Sequence, residues 1–444
     1  MAERGGPRRL AFLNAGAVAT GPAVAGPVRR PAWDDVGLVR GVGIGVEDGR
    51  VAIIAPDDEV GEWYHAAPSP DAVVDCEGRL VTTGLVDPHT HAVFGRARLE
   101  DQARRARGEG YKAIAAAGGG ILSSVADFRA RGEDDLVALA LPRLALLAAL
   151  GTTVIEIKSG YGLALEPELK ALRVIDRLRD LQPLRLVATF LGAHEVPPEY
   201  RSRRDAYVRL IVEEMLPAVA RQGVAAFCDV FCEPGVFSIE ESAAILGVAG
   251  ACGLGLKLHA DELDPSGAAE LAARLGATSA DHLGAISAAG IDALAASETV
   301  AVLLPGSLLF LGQARQAPAR ALVDAGAIVA LATDFNPGSS PGGNLPLMMA
   351  LAVSQAHLQP EEAFIAATVN AAHAVGLSWE RGRIAVGRPA DLVVWNCRDV
   401  RELAYWYGMP LAWRVYASGR PCHGPGPGIS SPGSLGRPLS PLLS

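Results

Sequence analysis

The chain has 444 residues, half of them hydrophobic and 20% charged, a balance that supplies a large core and excludes an intrinsically disordered protein. Its formal net charge of −9 argues against a general affinity for nucleic acid or an anionic membrane, since either would need a basic surface. Six cysteines, at 76, 228, 232, 252, 397 and 422, are too scattered for a disulfide framework and read as reduced thiols in a cytoplasmic enzyme.

At the N-terminus, Arg8-Arg9 before Leu10-Ala11-Phe12-Leu13 imitates the start of a twin-arginine export signal, but Asn14, Pro22 and Pro27 interrupt the apolar run. No window approaches the ~20 apolar residues of a membrane span. Residues 1–82 read as short strands at Leu10 to Asn14, Gly43 to Glu47, Arg50 to Ile54 and Ala72 to Asp75, with Glu47-Asp48-Gly49 as a hairpin signal. Between 83 and 381, apolar strand-like runs alternate with longer helical patterns. The strands are Leu80 to Val86, Thr152 to Ile157, Leu184 to Phe190, Ala225 to Phe231, Gly255 to His259, Ser279 to His282, Val300 to Leu304 and Ile328 to Thr333. Helices are expected at Asp134 to Leu150, Glu166 to Arg179, Ile239 to Ala251 and Ser266 to Leu275. This rhythm predicts an α/β fold, a (β/α)8 TIM-like barrel. A second β-rich signature, Gly382 to Gly387 and Ala390 to Trp395, makes residues 382–422 the expected C-terminal part of a small composite β-sandwich shared with 1–82. The Gly, Pro and Ser run of 423–444 is expected to be a disordered tail.

In such barrels catalytic groups gather at the carboxyl ends of the strands. His89 and His91 follow the first strand, Lys158 the second, His194 the third, His259 ends the fifth, His282 the sixth, and Asp334 follows the eighth. Two imidazoles one residue apart on an extended segment point to the same side and can clamp one ion. Three neutral imidazoles and a carboxylate suit Zn²⁺ or a comparable transition metal, whereas Mg²⁺ or Ca²⁺ would favour an oxygen-rich shell. His89, His91, His259 and Asp334 are therefore the expected metal ligands. Such an ion would bring the pKa of its water toward ~7, with Asp334 serving also as acceptor of the water's proton. Glu262, three residues after His259, is the expected proton shuttle, the alternative being a solvated loop acid. His282 is expected to polarise the attacked carbonyl or orient the water, with a loosely bound fifth ligand as the open alternative.

Several runs carry a resemblance: Asp87-Pro88-His89-Thr90-His91-Ala92-Val93-Phe94-Gly95, Glu156-Ile157-Lys158-Ser159-Gly160-Tyr161-Gly162, Thr189-Phe190-Leu191-Gly192-Ala193-His194, Ser279-Ala280-Asp281-His282-Leu283 and Ala332-Thr333-Asp334-Phe335-Asn336-Pro337-Gly338. In this order, from about residue 80 to residue 380, they resemble the imidazolonepropionase family of the amidohydrolase superfamily. The resemblance implies hydrolysis of the lactam C–N bond of 4-imidazolone-5-propanoate to N-formimidoyl-L-glutamate in histidine degradation, with one Zn²⁺ or Fe³⁺ per subunit. It also implies substrate contacts at Arg98, Tyr161, His194, Glu262, Asn336, Gly338 and Ser339. Arg98 suits a propanoate tail because a planar guanidinium binds carboxylate bidentately, and the turn from Asn336 to Ser339 could offer amide groups. Ser339 stands where the family usually has Thr, and Gly342-Gly343-Asn344 departs from its usual polar run.

The rival reading is a deaminase of a carboxylated heterocycle, which would use the same histidines and acids. A two-metal hydrolase would need a carboxylated lysine at Lys158 or Lys257, and Lys158 follows the second strand rather than the fourth, where related enzymes carry that bridge. Expected partners are a small-molecule substrate and, as the default assembly, a second copy in a homodimer.

Overall fold

The computed structural model describes residues 9–66, 72–109, 113–114, 118–313 and 316–424. Eight parallel strands, Leu85–Asp87, Thr152–Lys158, Arg185–Ala193, Phe227–Cys232, Gly255–Ala260, Ser279–His282, Val300–Leu303 and Ile328–Leu331, pair in sequence order. They read as apolar runs because both faces are covered, by helices outside and side chains inside. Thr152–Lys158 is buried at every position. The helices Glu133–Ala149, Leu165–Leu181, Ile239–Ala251 and Ala268–Leu275 lie where the periodicity put them. Ile239–Ala251 starts as expected because Ser238 accepts from Glu241 N while the Glu241 carboxylate returns to Ser238 N.

The ring is joined beyond its strand ends. Thr90 and Phe335 form a parallel bridge, His91 N donates to Phe335 O at 2.9 Å and Asp334 N to His89 O at 3.0 Å. The backbone bonds that join the first and last strands are thus made by the segments that carry the candidate ligands.

The expected strand Leu80 to Val86 is in fact two. Leu80–Thr83 belongs to a six-stranded sheet outside the barrel, and Leu85–Asp87 begins the barrel. Gly84 stands at the break, where a Cβ would fall 2.1 Å from Thr153 Oγ1. The six-stranded sheet runs Arg420–His423, Ala412–Ala417, Leu392–Trp395, Leu80–Thr83, Ala17–Ala19 and Leu38–Val39; a four-stranded sheet runs Arg50–Pro56, Val42–Glu47, Arg9–Leu13 and Ala72–Asp75. Leu10, Phe12, Ile44 and Val74 of the smaller sheet share a core with Val18, Val81, Leu392 and Tyr416 of the larger, so the two ends of the chain build one composite β-layered unit. One expected strand is missing: the run from Gly382 to Gly387 forms turns, tied to the N-terminal segment by Ile384 N donating to Thr20 O at 2.9 Å. All but two residues of the expected tail 423–444 lie outside the described residues. Among the described residues no helix is long and apolar enough to cross a membrane, and all six cysteines are free thiols, with Cys228 and Cys232 buried.

The N-terminal segment also clasps the barrel. Arg29 donates to the carbonyls of Ala295, Ser297 and Gly326, and Arg30 to that of Asp324. These carbonyls lie at the carboxyl ends of helices Ala288–Ala295 and Ala319–Ala325, where the helix dipole favours a cation. Arg29→Ala is expected to lower the unfolding free energy by about 1–3 kcal/mol while kcat stays unchanged. Urea titration alongside steady-state rates checks both.

Candidate metal centre

The site is built from strand ends. In Pro88-His89-Thr90-His91 the alternation of an extended chain separates the side chains: Thr90 Oγ1 donates to Glu156 O of the second strand at 2.6 Å, while His89 and His91 turn inward. Asp261, His282, Leu283 and Asp334 all have positive φ, at 47°, 79°, 60° and 54°. Non-glycine residues rarely hold that conformation unless their surroundings impose it.

Candidate ligand atoms of His89, His91 and His259 lie within 4.8 Å of one another, as do those of His89, His282 and Asp334. The two triads share His89. Asp334 Oδ1 is 3.6 Å from His89 Nε2 and 3.7 Å from His91 Nε2, close to the ~3.4 Å between ligands that sit 2.0–2.1 Å from a tetrahedral ion. His89 Nε2 and His282 Nε2 are buried and have no hydrogen-bond partner among the described residues, so the nitrogens look onto a centre that protein atoms do not satisfy. This nitrogen-rich donor set fits a divalent transition metal. Burial, followed by the nearby Lys158 and histidine charges, holds His89 well below the ordinary imidazole range; burial, then His194 and His259, does the same to His91. Both rings are therefore neutral, as ligands must be. Burial pushes Asp334 up to about 6 against the opposing pull of His282.

Behind the imidazoles lies a layer whose roles the sequence did not disclose. His89 Nδ1 is 2.6 Å from Asp281 Oδ2, and His259 Nδ1 is 3.0 Å from Asp229 Oδ2. Lys158 Nζ sits 2.7 Å from Asp229 Oδ2, 3.1 Å from Glu156 Oε2 and 3.3 Å from Asp281 Oδ2. Lys257 Nζ pairs with Glu156 Oε2 at 2.8 Å and donates to Pro88 O at 3.1 Å. All five of these charged side chains are wholly buried. Burial alone would lower the Lys158 ammonium, but Asp229, Glu156 and Asp281 hold it above its usual range. A carboxylated Lys158 would set a fourth anion among three carboxylates, which disfavours it as the bridge of a two-metal site. The overlooked signal was period-2 polarity inside buried strands: Glu156 and Lys158, Lys257 and His259, Ser279 and Asp281.

Several of the expected substrate residues stand close to the histidines or to Asp334. Glu168, wholly buried, accepts from the amides of Gly160, Gly162 and Leu163 at 3.2, 2.7 and 2.8 Å, which fixes the loop that carries Tyr161. His194 Nδ1 lies 3.0 Å from Gly160 O, and the His194 ring stacks on His91 with centroids 5.1 Å apart. The Arg98 guanidinium lies directly on Gly338, where a Cβ would fall 1.2 Å from Nη2 and displace it. The amides of Gly338 and Ser339 both donate to Asn336 Oδ1, at 2.7 and 2.8 Å. They are thus committed within their own turn, whereas the Ser339 hydroxyl reaches to 3.4 Å from Asp334 Oδ2. Glu262 Oε2 is 3.7 Å from His282 Nδ1. Its loop is held by Glu233, which accepts from the amides of Glu262, Leu263 and Asp264.

A parallel barrel with inward histidines after its first strand and at the ends of its fifth and sixth, and an aspartate after the eighth, is the architecture of a metal-dependent hydrolase. Residues 80–411 match the amidohydrolase family, and the chain belongs to it. It is 47% identical to the imidazolonepropionase of Symbiobacterium thermophilum, covering 93% of this chain and 97% of that one. The imidazolonepropionases of Myxococcus xanthus, at 47%, and Bacillus velezensis, at 45%, are each matched over 89% of this chain and over 94% and 92% of their own lengths. Among solved structures, a zinc-bound adenosine deaminase from Xanthomonas campestris superposes with a TM-score of 0.65 at 18% identity, covering 93% of this chain and 92% of that one. A triazine hydrolase variant does so at 0.69 and 18%, covering 97% and 96%. At such identities the likeness is one of fold.

Proposed function

We propose that the chain hydrolyses the cyclic amide C–N bond of 4-imidazolone-5-propanoate to N-formimidoyl-L-glutamate, a step of histidine degradation, using one Zn²⁺ or Fe³⁺ held by His89, His91, His259 and Asp334. The observation that carries the substrate is 47% identity with an imidazolonepropionase across nearly the whole of both chains. Free thiols throughout support a reducing, cytoplasmic setting.

When bound, the cation supplies Lewis-acid charge and, at neutral pH, an activated water. The residues do the rest. Arg98 grips the propanoate as a bidentate donor, and Tyr161 and His194 hold the ring against the histidine cluster. Asp334 takes the proton of the attacking water. His282 donates to the carbonyl oxygen as negative charge develops there, a contribution made in the transition state rather than the ground state. Glu262, beside His282, takes the second proton of that water and delivers it to the ring nitrogen as the lactam C–N bond breaks.

The test is turnover of 4-imidazolone-5-propanoate with parallel assays of ring absorbance, ammonia and metal content. Loss of the ring chromophore without ammonia, at close to one metal per chain, is the expected result. Ammonia release would favour the deaminase reading. Treatment with a chelator is expected to abolish turnover, and titration with Zn²⁺ or iron to restore it, the better metal settling the ion's identity.

A further inference from the structure

We infer that Lys158 is a positioning residue for the metal centre: its buried ammonium ties together Asp229 and Asp281, the carboxylates that orient His259 and His89. The inference rests on the metal reading proposed above and adds to it a residue that touches neither ion nor substrate.

The geometry is a fork with one handle. Asp281 takes the Nδ1 side of His89 at 2.6 Å and Asp229 that of His259 at 3.0 Å. A carboxylate on one ring nitrogen fixes the tautomer, so that the lone pair lies on the other nitrogen, and it also fixes the plane of the ring. Two such carboxylates meet at Lys158 Nζ, 2.7 Å from Asp229 and 3.3 Å from Asp281, with Glu156 at 3.1 Å. An ammonium has three donors and no acceptor. Here three carboxylates surround it at 2.7 to 3.3 Å. Without that charge, Asp229 and Asp281 would repel each other in a dry interior and swing away from the imidazoles they hold. Glu156 is anchored from its far side by Lys257 at 2.8 Å, so the cage is braced from two strands. Three carboxylates against two ammoniums leave one net negative charge directly behind the histidines, the sign that favours a cation in front of them.

The experiment measures Zn²⁺ affinity, by competition with a chromophoric chelator, for the wild type, Lys158→Met and Lys158→Gln, with circular dichroism of each metal-free protein to confirm folding. Either folded variant is expected to bind Zn²⁺ roughly 10- to 100-fold more weakly. Pairing Lys158→Met with Asp281→Asn should cost less than the sum of the two single losses, because both act on one unit. Affinity within twofold of wild type in either folded variant overturns the inference and leaves the metal reading intact. A wild-type chain that takes up no Zn²⁺ or iron overturns the metal reading, and the inference with it. If neither Lys158 variant folds, Asp229→Asn and Asp281→Asn are compared singly and together: less-than-additive losses support a shared handle, and additive losses overturn it.

Discussion

Asp334→Asn is expected to lower kcat by roughly 10²- to 10⁴-fold, the largest effect of any single substitution considered. Asp334 is held by its own backbone, with N donating to His89 O at 3.0 Å, at a left-handed φ of 54°. Its Oδ1 stands 3.6 and 3.7 Å from two imidazole nitrogens, while Oδ2 looks toward Ser339 Oγ at 3.4 Å. Asparagine keeps the shape and loses both the anionic ligand and the proton acceptor. A variant that folds, as judged by circular dichroism, yet shows the predicted fall in kcat separates chemistry from stability. Metal content measured on the same sample tells whether the ion is retained. Near-normal turnover would remove Asp334 from the reaction.

Arg98→Ala is expected to raise KM by on the order of 10²- to 10³-fold, the cost of truncating one partner of a buried, hydrogen-bonded charge pair, about 2–5 kcal/mol. The metal should remain bound, because Arg98 contacts no candidate ligand. Its position is unusually constrained. The guanidinium lies on Gly338, its backbone N donates to Pro337 O at 3.1 Å, and Nε is buried with Asp101 Oδ2 no nearer than 3.8 Å. That leaves Nε without a hydrogen-bond partner and free for a carboxylate. A substrate analogue lacking the propanoate should lose affinity for wild type and show little further loss with the variant. An unchanged KM would refute the role.

The barrel was legible because its strands are buried on both faces and read as unbroken apolar runs, separated by helices long enough to show their period. The histidine pair and the acids at strand ends were legible because side-chain direction in an extended chain follows from spacing alone. The terminal sheets were less so. Ala17–Ala19 and Leu38–Val39 are too short for any periodicity, and Leu80–Thr83 looked continuous with the barrel until the backbone broke at Gly84. The run from Gly382 to Gly387 has strand-like composition, but its backbone makes separate bonds, to Thr20 O and Val51 O, in place of a continuous ladder, so it turns.

From the order of its residues alone, this chain determines a repeating βα architecture, the strand ends that carry chemistry and the donor types of a transition-metal site. Tertiary structure alone decided which acids serve the histidines. Asp281 meets His89 across 192 positions and Lys158 across 123. Coulomb and hydrogen-bond energies depend on separations of a few ångströms, and only joining the ring brings those side chains that close.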